Sequence, residues 1–228
     1  MFKRVFIGIT IVIALAVLAV WSPWNSWNIS VLGLLGLQND DKYAGLQVYS
    51  TSGEVELKID NEVVGNVTEE GSPLDIVEIE QGDHLIALRR VSEDQTANYY
   101  EFTRMINFVR GINTVLAYEI GPTEKFSGGY IIYATTGVEE KKSFLNIRTE
   151  PEGAKVYINE VEVSNAPLLN YELDLTKDYK VKIVKETSET IEFDLLPETD
   201  EEKELIKGYD LNVEVKLFEY PLEVREES

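Results

Sequence analysis

The sequence contains no cysteine and only one histidine. The first absence excludes disulfides, thiolate metal sites, a cysteine nucleophile and a lipidated N-terminal cysteine. With one imidazole and no thiol, zinc has too few of its preferred ligands. No Gly-x-Ser-x-Gly elbow occurs, because Gly71-Ser72-Pro73 reads as a turn. No glycine-rich phosphate loop precedes a helix, since Gly128-Gly129 leads into a strand. These gaps leave no expected catalytic residue, cofactor or metal. The last gap is in charge: residues 1–38 hold no Asp or Glu, only Lys3 and Arg4. The net charge of −20 therefore becomes −22 over the remainder. A body this acidic repels nucleic acid and anionic lipid head groups. A solvated, aggregation-resistant surface is its plain meaning; a site for a cation or a basic ligand is the narrower one.

What is present begins with a hydrophobic run. Residues 5–21 carry no charge and follow Lys3-Arg4. At ~1.5 Å per helical residue, such a run spans roughly 25 Å, the short end of what crosses a bilayer. Trp21, Trp24 and Trp27 follow at the exit, where indoles prefer the head-group layer. The basic pair stays on the cytoplasmic side, which predicts a single-pass cell-membrane protein with its body extracytoplasmic. A cleaved signal peptide is the competing reading, with Val17-Leu18-Ala19 offering small residues for cleavage. The run continues past that point and the tryptophans would anchor what remains, which favours an uncleaved anchor. Residues 1–38 are thus expected to form a cytoplasmic stub, a transmembrane helix and a juxtamembrane segment.

From residue 45 the dominant period is two. Glu54-Val-Glu-Leu-Lys-Ile-Asp60 alternates strictly, as do residues 179–183 and 211–217. Alternation puts apolar side chains on one sheet face and charges on the other. Further strands are expected at 84–90, 99–108, 113–119, 130–134, 144–148, 171–175 and 191–195. One short helix is expected from Thr199-Asp-Glu-Glu202, a capping-box pattern that stops at Gly208. The same pattern is written twice. Leu46 through Asn61 aligns with Leu145 through Glu160, 99 positions on, and later strands continue the match with small shifts at turns. The expected fold is all-β: two tandem small β-sandwiches at 45–134 and 144–222, joined by a polar linker at 135–143.

The second copy carries a recognisable corner. Pro151-Glu152-Gly153-Ala154 is followed by Val156, Tyr157, Ile158 and Asn159. This segment resembles the PEGA domain family, named for the tetrapeptide. The family's later Gly-x-Thr-Pro is met only by Ala166-Pro167. The first copy keeps Asp60-Asn61, Gly65 and Ser72-Pro73 but has Thr51-Ser-Gly53-Glu54 at the corner. The resemblance implies a small β-sandwich of immunoglobulin or transthyretin type, used in tandem on membrane-anchored prokaryotic proteins. It implies no catalytic residues and a role in contacting envelope components or proteins.

Three functions remain open. The first is a non-catalytic binding or scaffolding protein of a prokaryotic envelope, touching glycan, surface-layer or protein partners. The second is a passive spacer or accessory subunit. The third is an acidic hydrolase, which would need converging carboxylates that no spacing here selects. His84 aligns with Tyr179, so a packing or edge role suits it better than general-base chemistry. Tyr49, Tyr99, Tyr100, Tyr118, Tyr130 and Tyr133 could stack on sugar rings or pack with wet hydroxyls. Asn39-Asp40-Asp41 and Asp174 to Asp178 collect oxygen ligands without the order of a dedicated calcium loop.

Overall fold

The computed structural model describes residues 43–50, 53–68, 72–92, 97–137, 142–186, 188–196 and 199–218. The anchor residues Lys3, Arg4, Trp21, Trp24 and Trp27 lie outside these, as does the 39–41 cluster. Among the described residues no helix is long and apolar enough to cross a membrane. They are nearly all β, with one short helix and one 3-10 turn.

The first repeat runs β1 (Ala44–Ser50), β2 (Val55–Ile59), β3 (Glu62–Val67), β4 (Leu74–Ile79), β5 (Gly82–Arg90), β6 (Glu101–Phe108) and β7 (Asn113–Glu119). After an intervening strand, β8 (Gly128–Thr136), the second repeats that order. It runs β9 (Ser143–Glu150), β10 (Lys155–Ile158), β11 (Val161–Asn165), β12 (Leu168–Leu173), β13 (Lys180–Val184), β14 (Ile191–Asp194), α1 (Asp200–Leu205) and β15 (Tyr209–Lys216). Each repeat builds a four-stranded sheet, β3-β2-β5-β6 and β11-β10-β13-β14. The remaining strands join into one seven-stranded sheet, β12-β9-β15-β8-β7-β1-β4. Both copies have a parallel pair, β1 with β7 and β9 with β15. Both shift register at aligned positions, between Leu57 and Lys58 and between Val156 and Tyr157.

The hairpin turns explain part of this equivalence. Asp60-Asn61 and Asn159-Glu160 all take positive φ, the two-residue geometry that matches strand twist. In each copy the first turn residue clamps the next strand. Asp60 Oδ1 accepts from Leu85 N at 2.9 Å, and Asn159 Oδ1 accepts from Lys180 N at 2.8 Å. Asp and Asn serve alike, since both offer an oxygen and tolerate left-handed backbone.

The seven-stranded order is a palindrome centred on β8, which pairs antiparallel with both β7 and β15. Two flanking strands pointing the same way are related by a rotation about β8, and that rotation exchanges the faces of the sheet. The four-stranded sheets accordingly pack on opposite faces. Ile131 and Tyr133 join the core of the first repeat, with Leu46, Leu57, Leu88 and Leu116. Tyr130, Ile132 and Ala134 join that of the second, with Leu145, Val156, Ile183 and Val213. Each fully buried aliphatic side chain contributes about 1.5–3 kcal/mol.

The expected linker therefore differs from what is found. Its first two residues, Thr135 and Thr136, end β8, and its last, Ser143, opens β9 with its hydroxyl bonded to Ile206 O at 2.9 Å. Residues 138–141 lie outside the described set. The period-two run of β8 already contained the reason: alternate residues on both of its faces are apolar or aromatic, as in a strand covered on both sides.

Candidate functional site

The family corner is structural in every detail. Gly153 takes φ 79, which a side chain would resist. Ala154, Val156 and Ile158 are buried in the second core. Gly153 N donates to Ala166 O at 3.1 Å and Ala166 N to Ala154 O at 2.7 Å, tying the corner to the Ala166-Pro167 turn. Thr149 Oγ1 donates to the Pro151 carbonyl at 2.9 Å, and Lys185 Nζ reaches the Glu152 carbonyl. Tyr157 and Asn159 finish the hairpin, Tyr157 donating to Glu162 at 2.9 Å and Asn159 to Asp178 O at 2.9 Å. The corner joins two strands.

His84 is also a clamp. Its Nδ1 meets Asp60 Oδ2 at 2.6 Å, its Nε2 meets Glu80 O at 2.9 Å, and its ring lies edge-on to Phe108. The Asp60 carboxyl is held below its usual range, first by that bond and then by the Leu85 N–H. Asp174 receives Lys177 at 2.8 Å and Thr176 Oγ1 at 2.6 Å, and these bonds, the Lys177 one foremost, drop its carboxyl to about 2. Among the described residues no group of three or more His, Cys, Asp or Glu is placed to hold a metal ion.

The tyrosines, read from the sequence as one cluster, are split between the two faces of the shared sheet. Tyr130 stacks on Phe193 at 4.6 Å on the face of the second repeat. Tyr49, on the same face, donates to Gln47, which donates to Asp75. Tyr118 lies under Phe102 at 4.3 Å in the first core. Tyr99 sits beneath Arg90 at 5.1 Å. Tyr100 borders an open groove, and Tyr133 bonds Glu214 at its side.

That groove has a volume of about 430 Å³. It runs between β6 and the part of the shared sheet made by β8, β15 and β9. Phe102, Tyr118 and Ile131 form its apolar floor, and Arg104, Arg148, Lys216, Glu124, Glu150 and Glu214 bring charge to its sides. Register places Ile131 beside Glu214 and Glu214 beside Arg148, so this sheet face turns from apolar to charged within one strand. Arg104 reaches from β6 to Glu214 at 2.5 Å, and Tyr133 donates to the same carboxylate at 3.0 Å. Lys216 bridges Glu124 at 2.8 Å and Glu150 at 3.3 Å, and stands 6.0 Å over the Tyr100 ring. Burial first, and then the Glu214 charge, push the Tyr133 phenol up to about 12. Arg148 is exposed and forms no ion pair among the described residues.

Sequence reasoning missed this groove. Glu214 and Lys216 read as the solvent side of an amphipathic strand. Their meeting with Arg104 depends on β8 placing both repeats in one sheet, and no local pattern encodes that.

Comparison with known families finds a PEGA domain at residues 143–207, which takes in β9 to α1 and stops before β15. No curated protein matches the chain.

Proposed function

We propose that this chain is a non-catalytic binding protein of a prokaryotic cell envelope. A hydrophobic anchor with cytoplasmic Lys3-Arg4 holds it in the membrane, and two PEGA-like sandwiches face outward. The first repeat is in this reading a divergent second PEGA domain, supported by its matching strand order, register shift and clamped turn. The partner is envelope glycan, a surface layer or another envelope protein. The observation that carries the reading is the groove between the repeats. It combines aromatic floor and opposite charges, yet its three glutamates are each bonded to a cation, which suits recognition better than acid–base work.

Membrane fractionation of the full chain, with protease added to intact cells, tests the topology. A carbonate-resistant pellet with an externally cleavable body is the expected result. Capture from a solubilised envelope fraction, run with wild type and with Arg148→Glu plus Tyr100→Ser, tests the groove. Equal recovery by both would remove it as the recognition surface. A spacer role is the second reading, favoured by the continuous seven-stranded sheet, which couples the repeats. It predicts equal recovery by both together with loss of function on deleting one repeat.

A further inference from the structure

The groove has an unusual wall. Phe102, Thr103 and Arg104 are consecutive, their side chains alternate across β6, and all three border the cavity. A cavity that touches both faces of a strand runs along its edge. β6 pairs with β5 alone and is the outermost strand of its sheet. The register shows which of its backbone groups are free. Asp60 N donates to Leu85 O at 2.8 Å, so odd residues of β5 face β2 and even residues face β6. Ile86–Arg104 and Leu88–Phe102 are then the hydrogen-bonded pairs of the β5–β6 ladder. Thr103 and Met105 send their N–H and C=O outward, and no other described backbone group reaches them. Both residues are exposed. The corresponding edge of the second repeat, β14, has four residues against eight in β6, and its Phe193 is covered by Tyr130.

Charge selects the occupant. Arg104 points inward from β6 and Arg148 stands beside Glu214 on the facing sheet. Arg104 already holds Glu214, but an apolar strand laid along β6 would cover the Arg148 guanidinium without a partner, at a desolvation cost. A carboxylate at an alternate position meets Arg148 in fork geometry. We propose that β6 binds an extended acidic peptide of an envelope protein by strand addition, with its main chain on Thr103 and Met105 and a carboxylate on Arg148. This rests on the groove being the recognition surface.

The test uses the full chain in detergent and a fluorescent acetyl-Thr-Val-Glu-Val-Thr-Val-amide, followed by anisotropy. Replacing Glu by Lys in the peptide, or N-methylating alternate residues, is expected to weaken binding at least about tenfold, roughly one unsatisfied charged or backbone contact. Arg148→Glu should reverse the charge preference. Thr103→Pro should abolish binding of either peptide while the far-UV spectrum is kept, because its N–H lies outside the ladder. Equal binding of the N-methylated peptide overturns strand addition, as does no binding at millimolar peptide. Binding of a peptidoglycan oligosaccharide that Arg148→Glu abolishes and Thr103→Pro leaves intact would also overturn it, while sparing the groove as a recognition surface. Failure of both ligands and of envelope capture would remove the groove reading itself.

Discussion

Strand β8 shows one tyrosine to each repeat, and the two meet opposite fates. Tyr130 is covered by Phe193 at 4.6 Å, and its neighbours on that face are Val115, Ile132 and Val213. Tyr133 instead meets the Glu214 carboxylate at 3.0 Å beside an open groove. The same strand order surrounds both. The difference traces to two aligned residues, Phe102 and Phe193, on the outermost strands β6 and β14. Phe193 reaches across to β8, whereas Phe102 turns onto Tyr118 within its own core. Arg104 and Glu214 pair beside Phe102 in the groove. The two junctions share a strand order, yet one is sealed with an aromatic pair and the other is polar and open.

The comparison breaks most severely at Gly129. Its φ is +150, and an added Cβ would lie 2.1 Å from Ala117 O. Gly129→Ala should therefore cost about 3 kcal/mol or more through strain and overpacking. Because β8 serves both cores, calorimetry should show both repeats losing stability in one transition. Two separate transitions, with only one shifted, would mean that β8 does not couple them. Next in size is the sealed junction. Phe193→Ala removes a buried ring, and a loss of about 3–4 kcal/mol is expected in urea unfolding. It should also lower the Tyr130 phenol, which burial first and then Tyr49 and Asp194 push up to about 12. Spectrophotometric titration would follow that fall, with Tyr133 unchanged. The open junction should be far cheaper to alter. Tyr133→Phe deletes one hydrogen bond while Glu214 keeps Arg104, so about 1 kcal/mol is expected. A larger loss would mean that the groove is a structural strut.

Much of the fold was legible because alternation is a local signal. Residues 113–119 were expected as a strand and form β7. β3, β4 and β11 were not expected, and β12 was expected only from residue 171. Val63, Val64, Val77, Val161 and Leu169 are exposed there, so apolar residues sit on the solvent side and the two-residue period is blurred. The Pro151–Ala154 corner is legible as a local pattern, and it ties two strands of the second repeat together. The groove was invisible because Arg148, Glu214 and Lys216 read as the solvent side of their own strands. Only the antiparallel pairing of β8 with both β7 and β15, fixed by contacts far apart in sequence, brings Arg104 to Glu214.

The smallest difference between the repeats lies in the clamped turns, where Asp60 and Asn159 perform one task with different chemistry. Each accepts the amide of the next strand, but only Asp60 can titrate. Its carboxyl is lowered by the His84 bond and the Leu85 N–H. A lowered folded value means that the turn gains stability above the ordinary carboxylate range, near 4, and loses it as pH falls through the depressed value. The side chain is half exposed, so the gain is held to about 0.5 kcal/mol, the scale of a surface ion pair. Urea midpoints at pH 5 and pH 3 should then fall slightly less for Asp60→Asn than for wild type, since the variant copies the second repeat and keeps an accepting oxygen. Asn159→Asp should do the reverse and make the second turn acid-sensitive. Its carboxylate would gain no counterpart of His84, because the buried Tyr179 occupies that position, its hydroxyl accepting the Asp174 N–H at 2.7 Å. An equal acid response in wild type and Asp60→Asn would show that the His84 contact contributes packing alone, and that the two turns are energetically the same.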